Sequence, residues 1–241
     1  MNRKQFLEQS AMALLATALI GCFDNKKGRL QKNQVIACIG DSVTSGGGNG
    51  YVEILQTLAN EKWPELNLTF LNWGKSSETV TGLTEIGHPG PRPYLFERLD
   101  GLLKNTPIDI AMFCYGINCG IYGMPSPELF NKFKIGVYSF LEKVKQKNIR
   151  TILLTPPPLT LNTVSIELDP EAEYTWLNPY PKYDKEILQE FKKIILNTQH
   201  EAVIANIDIH SPLSKNQADC YDKDPIHPNI KGHILIAETI I

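Results

Sequence analysis

The sequence has no long basic block, no internal repeat, no low-complexity stretch and no apolar run long enough to cross a bilayer. Each absence closes off a class of function. With 24 Lys and Arg against 26 Asp and Glu, the formal charge is −2, which argues against a nucleic-acid partner. The longest apolar run lies near the N-terminus and falls short of the roughly 20 residues a transmembrane helix needs. The spacings of the 5 cysteines match no zinc site. Ser45-Gly46-Gly47-Gly48-Asn49-Gly50 contains neither Gly-x-Gly-x-x-Gly nor Gly-Lys-Ser/Thr, so it is read as a flexible turn and not as a phosphate cradle. No metal or organic cofactor is expected. What remains is ordinary: 241 residues, 42% hydrophobic and 21% charged, enough for one domain with a full core.

Arg3 and Lys4 precede a short apolar core from Ala11 to Ile20, and Leu19-Ile20-Gly21-Cys22 closes it. A positive start and a short apolar core predict a secretory signal over residues 1–21. Leu-Ile-Gly-Cys is similar to a bacterial lipobox. That resemblance implies cleavage before Cys22, lipid attachment to its thiol and a tether over residues 22–33. The protein would then be exported, either lipid-anchored or periplasmic, and would meet the membrane only through the anchor. Arg3-Lys4-Gln5-Phe6-Leu7 also resembles a twin-arginine signal with Lys4 in place of the second arginine, so the export route stays open. The alternative is an uncleaved N-terminal helix with Cys22 an ordinary thiol. Cys38 and Cys114 lie in apolar runs and read as small buried hydrophobes. Cys119 and Cys220 could pair in an oxidising compartment or remain free.

Apolar, β-branched runs recur at 34–39, 68–72, 108–115, 151–155 and 202–207, and helical patterns fill 51–61, 94–103, 127–147, 183–197 and 230–241. Strands alternating with helices predict parallel pairing through right-handed crossovers. The nearly continuous apolar strands fit a sheet covered on both faces. The expected fold is a three-layer α/β/α sandwich around a mostly parallel five-stranded sheet, forming a single domain over residues 34–241. Two irregular stretches, 75–93 and 156–181, follow strands and should wall a site at the carboxyl edge. The second carries Tyr174, Trp176 and Tyr180, aromatic faces suited to a substrate.

Gly40-Asp41-Ser42 closes the apolar run that begins at Val35, and Asp224-Pro225-Ile226-His227 lies near the C-terminus. A buried strand ending in Gly-Asp-Ser puts one hydroxyl at the sheet edge where open α/β folds place their chemistry. Pro225 and Pro228 prevent a helix, so Asp224 can turn back onto its own imidazole. Ser42, His227 and Asp224 thus supply a nucleophile, a base and an orienting group for acyl transfer. Asp222 competes for the orienting role from five residues away, a spacing less suited to a local hydrogen bond. His88 sits in a loop expected near the site and is read as structural, with substrate contact the lesser alternative; His200, His210 and His233 are read as structural.

Four separated blocks resemble the SGNH (GDSL) hydrolase superfamily. Gly40-Asp41-Ser42-Val43 carries Val43 where the family name has leucine; Asn72-Trp73-Gly74 follows the second strand, Gly116-Ile117-Asn118 the third, and Asp224-Pro-Ile-His227 comes last. The resemblance implies Ser42, Asp224 and His227 as catalytic residues. It also implies an oxyanion hole built from the Ser42 and Gly74 backbone N–H groups and the Asn118 amide. Where many relatives have aspartate after that asparagine, this chain has Cys119, so the hydrogen bonds beside Asn118 must be arranged differently. The implied activity is serine-dependent hydrolysis of small-molecule or carbohydrate esters, with O-acetyl groups on carbohydrate as the expected substrate. A lipase, lysophospholipase or thioesterase would use the same triad, and a carbohydrate-binding protein without catalysis could keep the same fold.

Overall fold

The computed structural model describes residues 30–163 and 167–241. The expected signal segment, Cys22 and the first part of the tether lie outside the described residues. Five strands, β1 (Val35–Gly40), β2 (Thr69–Gly74), β3 (Ile110–Cys114), β4 (Arg150–Leu154) and β5 (Val203–Ile207), form one sheet in the order β2-β1-β3-β4-β5. Every pairing is parallel. Helices in chain order are α1 (Ser42–Ser45), α2 (Tyr51–Lys62), α3 (Leu95–Asn105), α4 (Pro127–Lys145), α5 (Gln189–Asn197), α6 (His210–Lys215), α7 (Gln217–Cys220) and α8 (Ile230–Ile240).

The period of two along each strand divides the interior in two. Ala37, Ile39, Ala111 and Phe113 join Leu95, Leu99, Phe133, Val137 and Phe191 on the face covered by α3, α4 and α5. Ile36, Cys38, Ile110 and Met112 meet Tyr51, Leu55, Leu213, Ile236 and Ile240 on the face covered by α2, α6 and α8. The three-layer sandwich follows, its strands apolar on both sides as parallel sheets require.

Two details differ from the periodicity. The helical pattern from Tyr183 begins as a π turn, Asp184–Leu188, before α5. The short helices α6 and α7 are too brief to display a helical period in sequence. Loops that follow the strands gather at the carboxyl edge, where β1 delivers Ser42. The 221–229 segment after α7 returns to that edge with Asp224 and His227.

Candidate active site

The turn after β1 is closed by glycine. A Cβ on Gly40 would lie 2.0 Å from Thr44 Oγ1 and 2.6 Å from the Cys114 carbonyl, so no side chain fits there. Asp41 caps α1 by accepting the Val43 N–H at 3.0 Å. It is 1% exposed, and that burial pushes its pKa up to about 7. Ser42 is the first residue of α1, a position whose N–H precedes the helix's internal bonds. That N–H has no acceptor among the described residues.

His227 Nε2 lies 2.8 Å from Ser42 Oγ, and its Nδ1 lies 2.6 Å from Asp224 Oδ2. The other Asp224 oxygen accepts the N–H groups of Ile226 at 2.8 Å and His227 at 3.2 Å, which folds the carboxylate back onto the ring as the two prolines allow. An ionised Asp224 only accepts, so Nδ1 carries the proton and Nε2 faces the hydroxyl with its lone pair. The Asp224 hydrogen bond raises the imidazole pKa above 6.5, against a smaller opposing effect of burial. Partial burial works to raise the Asp224 pKa, but hydrogen bonds from His227 and Ile226 outweigh it and hold the carboxyl below its ordinary value. Asp222 instead accepts from Asn229 Nδ2 at 3.0 Å and has no part in this relay.

Gly74 is not brought to the site in the expected way. Its N–H is donated to Asn72 Oδ1 at 3.0 Å, and it does not line the cavity beside Ser42. It is glycine for a packing reason, since a Cβ would sit 2.2 Å from the Ser45 nitrogen. Ser76 and Ser77 line the cavity instead. Ser77 has φ 63, the left-handed backbone that favours glycine, and its N–H has no acceptor among the described residues. Arg92 Nη1 holds the Ser77 carbonyl at 3.2 Å. Arg92 is itself fixed by Glu85 through Nε at 2.6 Å and through Nη2, both side chains being buried. Asn118 reaches the same cavity from the β3 loop, with Nδ2 3.5 Å from the Glu78 carbonyl. No sequence signal marks Ser77, because a positive φ is expected at glycine or asparagine and not at serine.

The cavity has a volume of about 300 Å³. His88, Pro89 and Arg92 line it from the first irregular loop, and Trp176 from the second. Both loops therefore wall the site. The two meet at Gly87, where a Cβ would lie 2.4 Å from Thr175 Cγ2. Tyr174 and Tyr180 pack edge to face on each other, with centroids 5.4 Å apart, and are not among the cavity residues. His88 is at the cavity wall with Nδ1 2.8 Å from the Gly90 carbonyl, so the histidine read as structural also borders the site. His233 accepts from the Tyr51 N–H, and burial pushes its pKa down to about 4. His210 lies against the Pro156 carbonyl and His200 against Glu142. Cys38, Cys114, Cys119 and Cys220 are all free and buried, so Cys119 and Cys220 form no disulfide. Burial pushes the Cys119 thiol up to about 12. No metal-binding group of three or more ligands occurs among the described residues.

The sequence matches the GDSL-like lipase/acylhydrolase family over residues 38–235. No curated protein matches it. Among solved structures it is similar to Axe2, an acetylxylan esterase from Geobacillus stearothermophilus, at 20% identity and TM-score 0.61, covering 88% of this chain and 94% of that one. A variant of Axe2, described as an acetyl-xylooligosaccharide esterase, superposes with TM-score 0.64 at 20% identity over 88% and 94% of the two chains. LAE5, an α/β hydrolase from the metagenome of Lake Arreo, Spain, gives TM-score 0.58 at 19% identity over 87% and 94%. These likenesses are of fold. The family match is the stronger finding, because it takes in the serine turn, the Asn118 loop and the Asp224–His227 segment: the chain belongs to the GDSL-like lipase/acylhydrolase family and is a carboxylic ester hydrolase.

Proposed function

We propose that the protein removes short acyl groups, O-acetyl groups on carbohydrate above all, through an acyl-enzyme on Ser42. The relay Ser42–His227–Asp224, with links of 2.8 and 2.6 Å at the cavity wall, carries this reading. Ser42 Oγ attacks the ester carbonyl as His227 Nε2 takes its proton, and Asp224 stabilises the imidazolium. His227 then gives that proton to the leaving alcohol. Water repeats the sequence on the acyl-enzyme, releasing the acid and restoring Ser42. The Ser42 and Ser77 N–H groups and the Asn118 amide are the donors for the oxyanion.

The substrate follows from the cavity and the relatives together. A volume of about 300 Å³ suits a small acyl group with part of its alcohol. Trp176, 37% exposed at the wall, offers a flat apolar face for a sugar ring. Axe2 is described as an acetylxylan esterase. Its variants described as catalytic mutants replace a serine, and an aspartate and a histidine three positions apart, the spacing of Asp224 and His227. Ile86 and Leu177, 84% and 62% exposed, flank the contact of the two loops and would serve a longer acyl chain. A lipase reading rests on them. The lipobox-like segment before Phe23 supports an exported, lipid-anchored form. Leu30 and Asn33 lead the described chain into the amino end of β1, the edge away from Ser42.

The test is hydrolysis of p-nitrophenyl acetate, butyrate and octanoate, with a fluorophosphonate probe followed by peptide mass mapping. Acetate should be preferred, the probe should mark Ser42, and a chelator should leave the rate unchanged. Preference for octanoate would replace the short-acyl reading by the lipase one. Labelling elsewhere would remove Ser42 as nucleophile.

Ser77→Gly separates a backbone donor from a hydroxyl donor. Glycine keeps the N–H and accepts φ 63 without strain, so kcat should stay within about threefold and Tm should not fall. A drop of about 10²–10³ in kcat would mean that the hydroxyl is the donor.

A further inference from the structure

An oxyanion donor made from an asparagine side chain has a weakness that a backbone N–H lacks. The amide can rotate, and turned the wrong way it presents an acceptor to a developing negative charge. Something must fix its orientation. Cys119, the next residue, makes no hydrogen bond to that amide; its Sγ instead takes the Val80 N–H at 3.5 Å.

We propose that Tyr122 is the positioning residue for Asn118, its hydroxyl holding Oδ1 so that the amide N–H groups face the reacting carbonyl; the inference rests on the proposed esterase reading. Tyr122 Oη lies 2.9 Å from Asn118 Oδ1. On the other side, Asn118 Nδ2 is 3.5 Å from the Glu78 carbonyl. These two neighbours settle the amide between them. Reversed, Oδ1 would face the Glu78 carbonyl, acceptor against acceptor. In the orientation seen, one N–H turns toward Glu78 and the other is left for the oxyanion.

Both neighbours are themselves anchored. Glu78 is buried, takes two bonds from Arg98 at 2.7 and 2.6 Å, and meets the Tyr115 hydroxyl. Tyr122 is 1% exposed, stacked on Tyr183 with ring centroids 5.1 Å apart, with the Arg92 guanidinium 5.5 Å from its ring centre. Tyr183 in turn donates to the Ile117 carbonyl at 2.9 Å and accepts from the Gly120 N–H at 3.1 Å. Ile121 and Tyr122 have φ 48 and 57, a conformation that costs energy for residues with a Cβ and persists only where surroundings enforce it. The Tyr122 carbonyl accepts from the Tyr180 N–H at 2.9 Å, which ties that strained turn down. Burial raises the phenol far above its ordinary range, so it stays a proton donor at every working pH. Arg92 is common to both donors: it bonds the Ser77 carbonyl and lies over the Tyr122 ring.

The experiment is a kinetic cycle of Tyr122→Phe, Asn118→Ala and the double variant on p-nitrophenyl acetate, with active sites titrated by fluorophosphonate so that only folded enzyme is counted. Phenylalanine keeps both ring contacts and deletes one oxygen. Tyr122→Phe should lower kcat about tenfold or more, below the 10²–10³ of losing the donor outright, with KM within about threefold. In the Asn118→Ala background the same change should cost nothing further, because no amide remains to be held. A wild-type kcat in Tyr122→Phe would overturn the inference. So would a double variant slower than Asn118→Ala by the full Tyr122→Phe factor, since that marks general support of the fold. Ser42→Ala run alongside separates the two levels. If wild type is active and Ser42→Ala falls by about 10⁶ in kcat, the esterase reading stands whatever Tyr122→Phe shows; an inert wild type would overturn both.

Discussion

Ser42→Ala and His227→Ala should each lower kcat by about 10⁶, and combining them should cost little more. That loss is roughly 8 kcal/mol of transition-state stabilisation at 1.36 kcal/mol per tenfold. The two residues act as one unit: a serine hydroxyl without a base is a weak nucleophile, and the imidazole has no attacking role once the hydroxyl is gone. KM for p-nitrophenyl acetate should change little, because neither group is needed to hold the ground state. Residual catalysis should persist above the buffer rate, because the oxyanion donors remain. Ser76 and Ser77 line the same cavity and are the alternative nucleophiles. Only Ser42, however, is within reach of Nε2, at 2.8 Å. A Ser42→Ala protein within tenfold of wild type would show that one of the neighbouring serines does the work.

The parts of the site that could be read from sequence are those fixed by local chemistry. Gly40-Asp41-Ser42 is legible because a strand that must turn sharply into a helix needs a residue without a side chain, then a cap. The structure shows both needs at Thr44 Oγ1 and at the Val43 N–H. Asp224 and His227 are legible because a three-residue offset, with Pro225 and Pro228 excluding a helix, leaves the carboxylate few other places to go. The sheet was legible too, since a strand buried on both faces has a continuous apolar run, as Ile36 to Ile39 does.

The parts that stayed hidden depend on distant partners. Gly74 was given the oxyanion role by the family resemblance alone; a close backbone approach does occur there, but it is to Ser45. The left-handed turn falls three residues later on Ser77, where Arg92 holds the carbonyl from 15 residues away. Tyr122 looks in sequence like any aromatic after a glycine loop. Its hydroxyl gains a role only once Asn118 is folded beneath it. Trp176, Tyr174 and Tyr180 were equal candidates for the cavity wall; Tyr180 Oη is committed to Glu186 at 2.7 Å, Tyr174 packs on the Tyr180 ring, and Trp176 is left at the wall.

Asp224→Asn should lower kcat by about 10⁴ and move the pH profile downward. His227 works as a base only when neutral, so wild-type kcat/KM should rise with pH through the imidazole's ionisation. The Asp224 hydrogen bond raises that ionisation above 6.5, so the half-maximal point should lie above pH 6.5. Asparagine removes the negative charge, which favoured the protonated ring, so the midpoint should fall. The rate falls although more of the ring is neutral, because the gain in neutral fraction is small beside what is lost. A carboxylate can only accept, and so it keeps the proton on Nδ1 and the lone pair on Nε2. An amide can also donate to Nδ1, which puts the proton on Nε2, where it faces Ser42 and cannot take a second. Asp222 cannot stand in, being bound to Asn229. His233, pushed down to about 4 by burial, is silent across this window. Asp41 titrates close by, at about 7, and its charge also favours protonated His227. Asp41→Asn keeps a good helix cap while removing that second ionisation from the profile. In that background, an Asp224→Asn protein with unchanged midpoint and rate would show that Asp224 neither charges nor orients the base. A lowered midpoint with the rate intact would keep its charge effect and remove its role in fixing the tautomer.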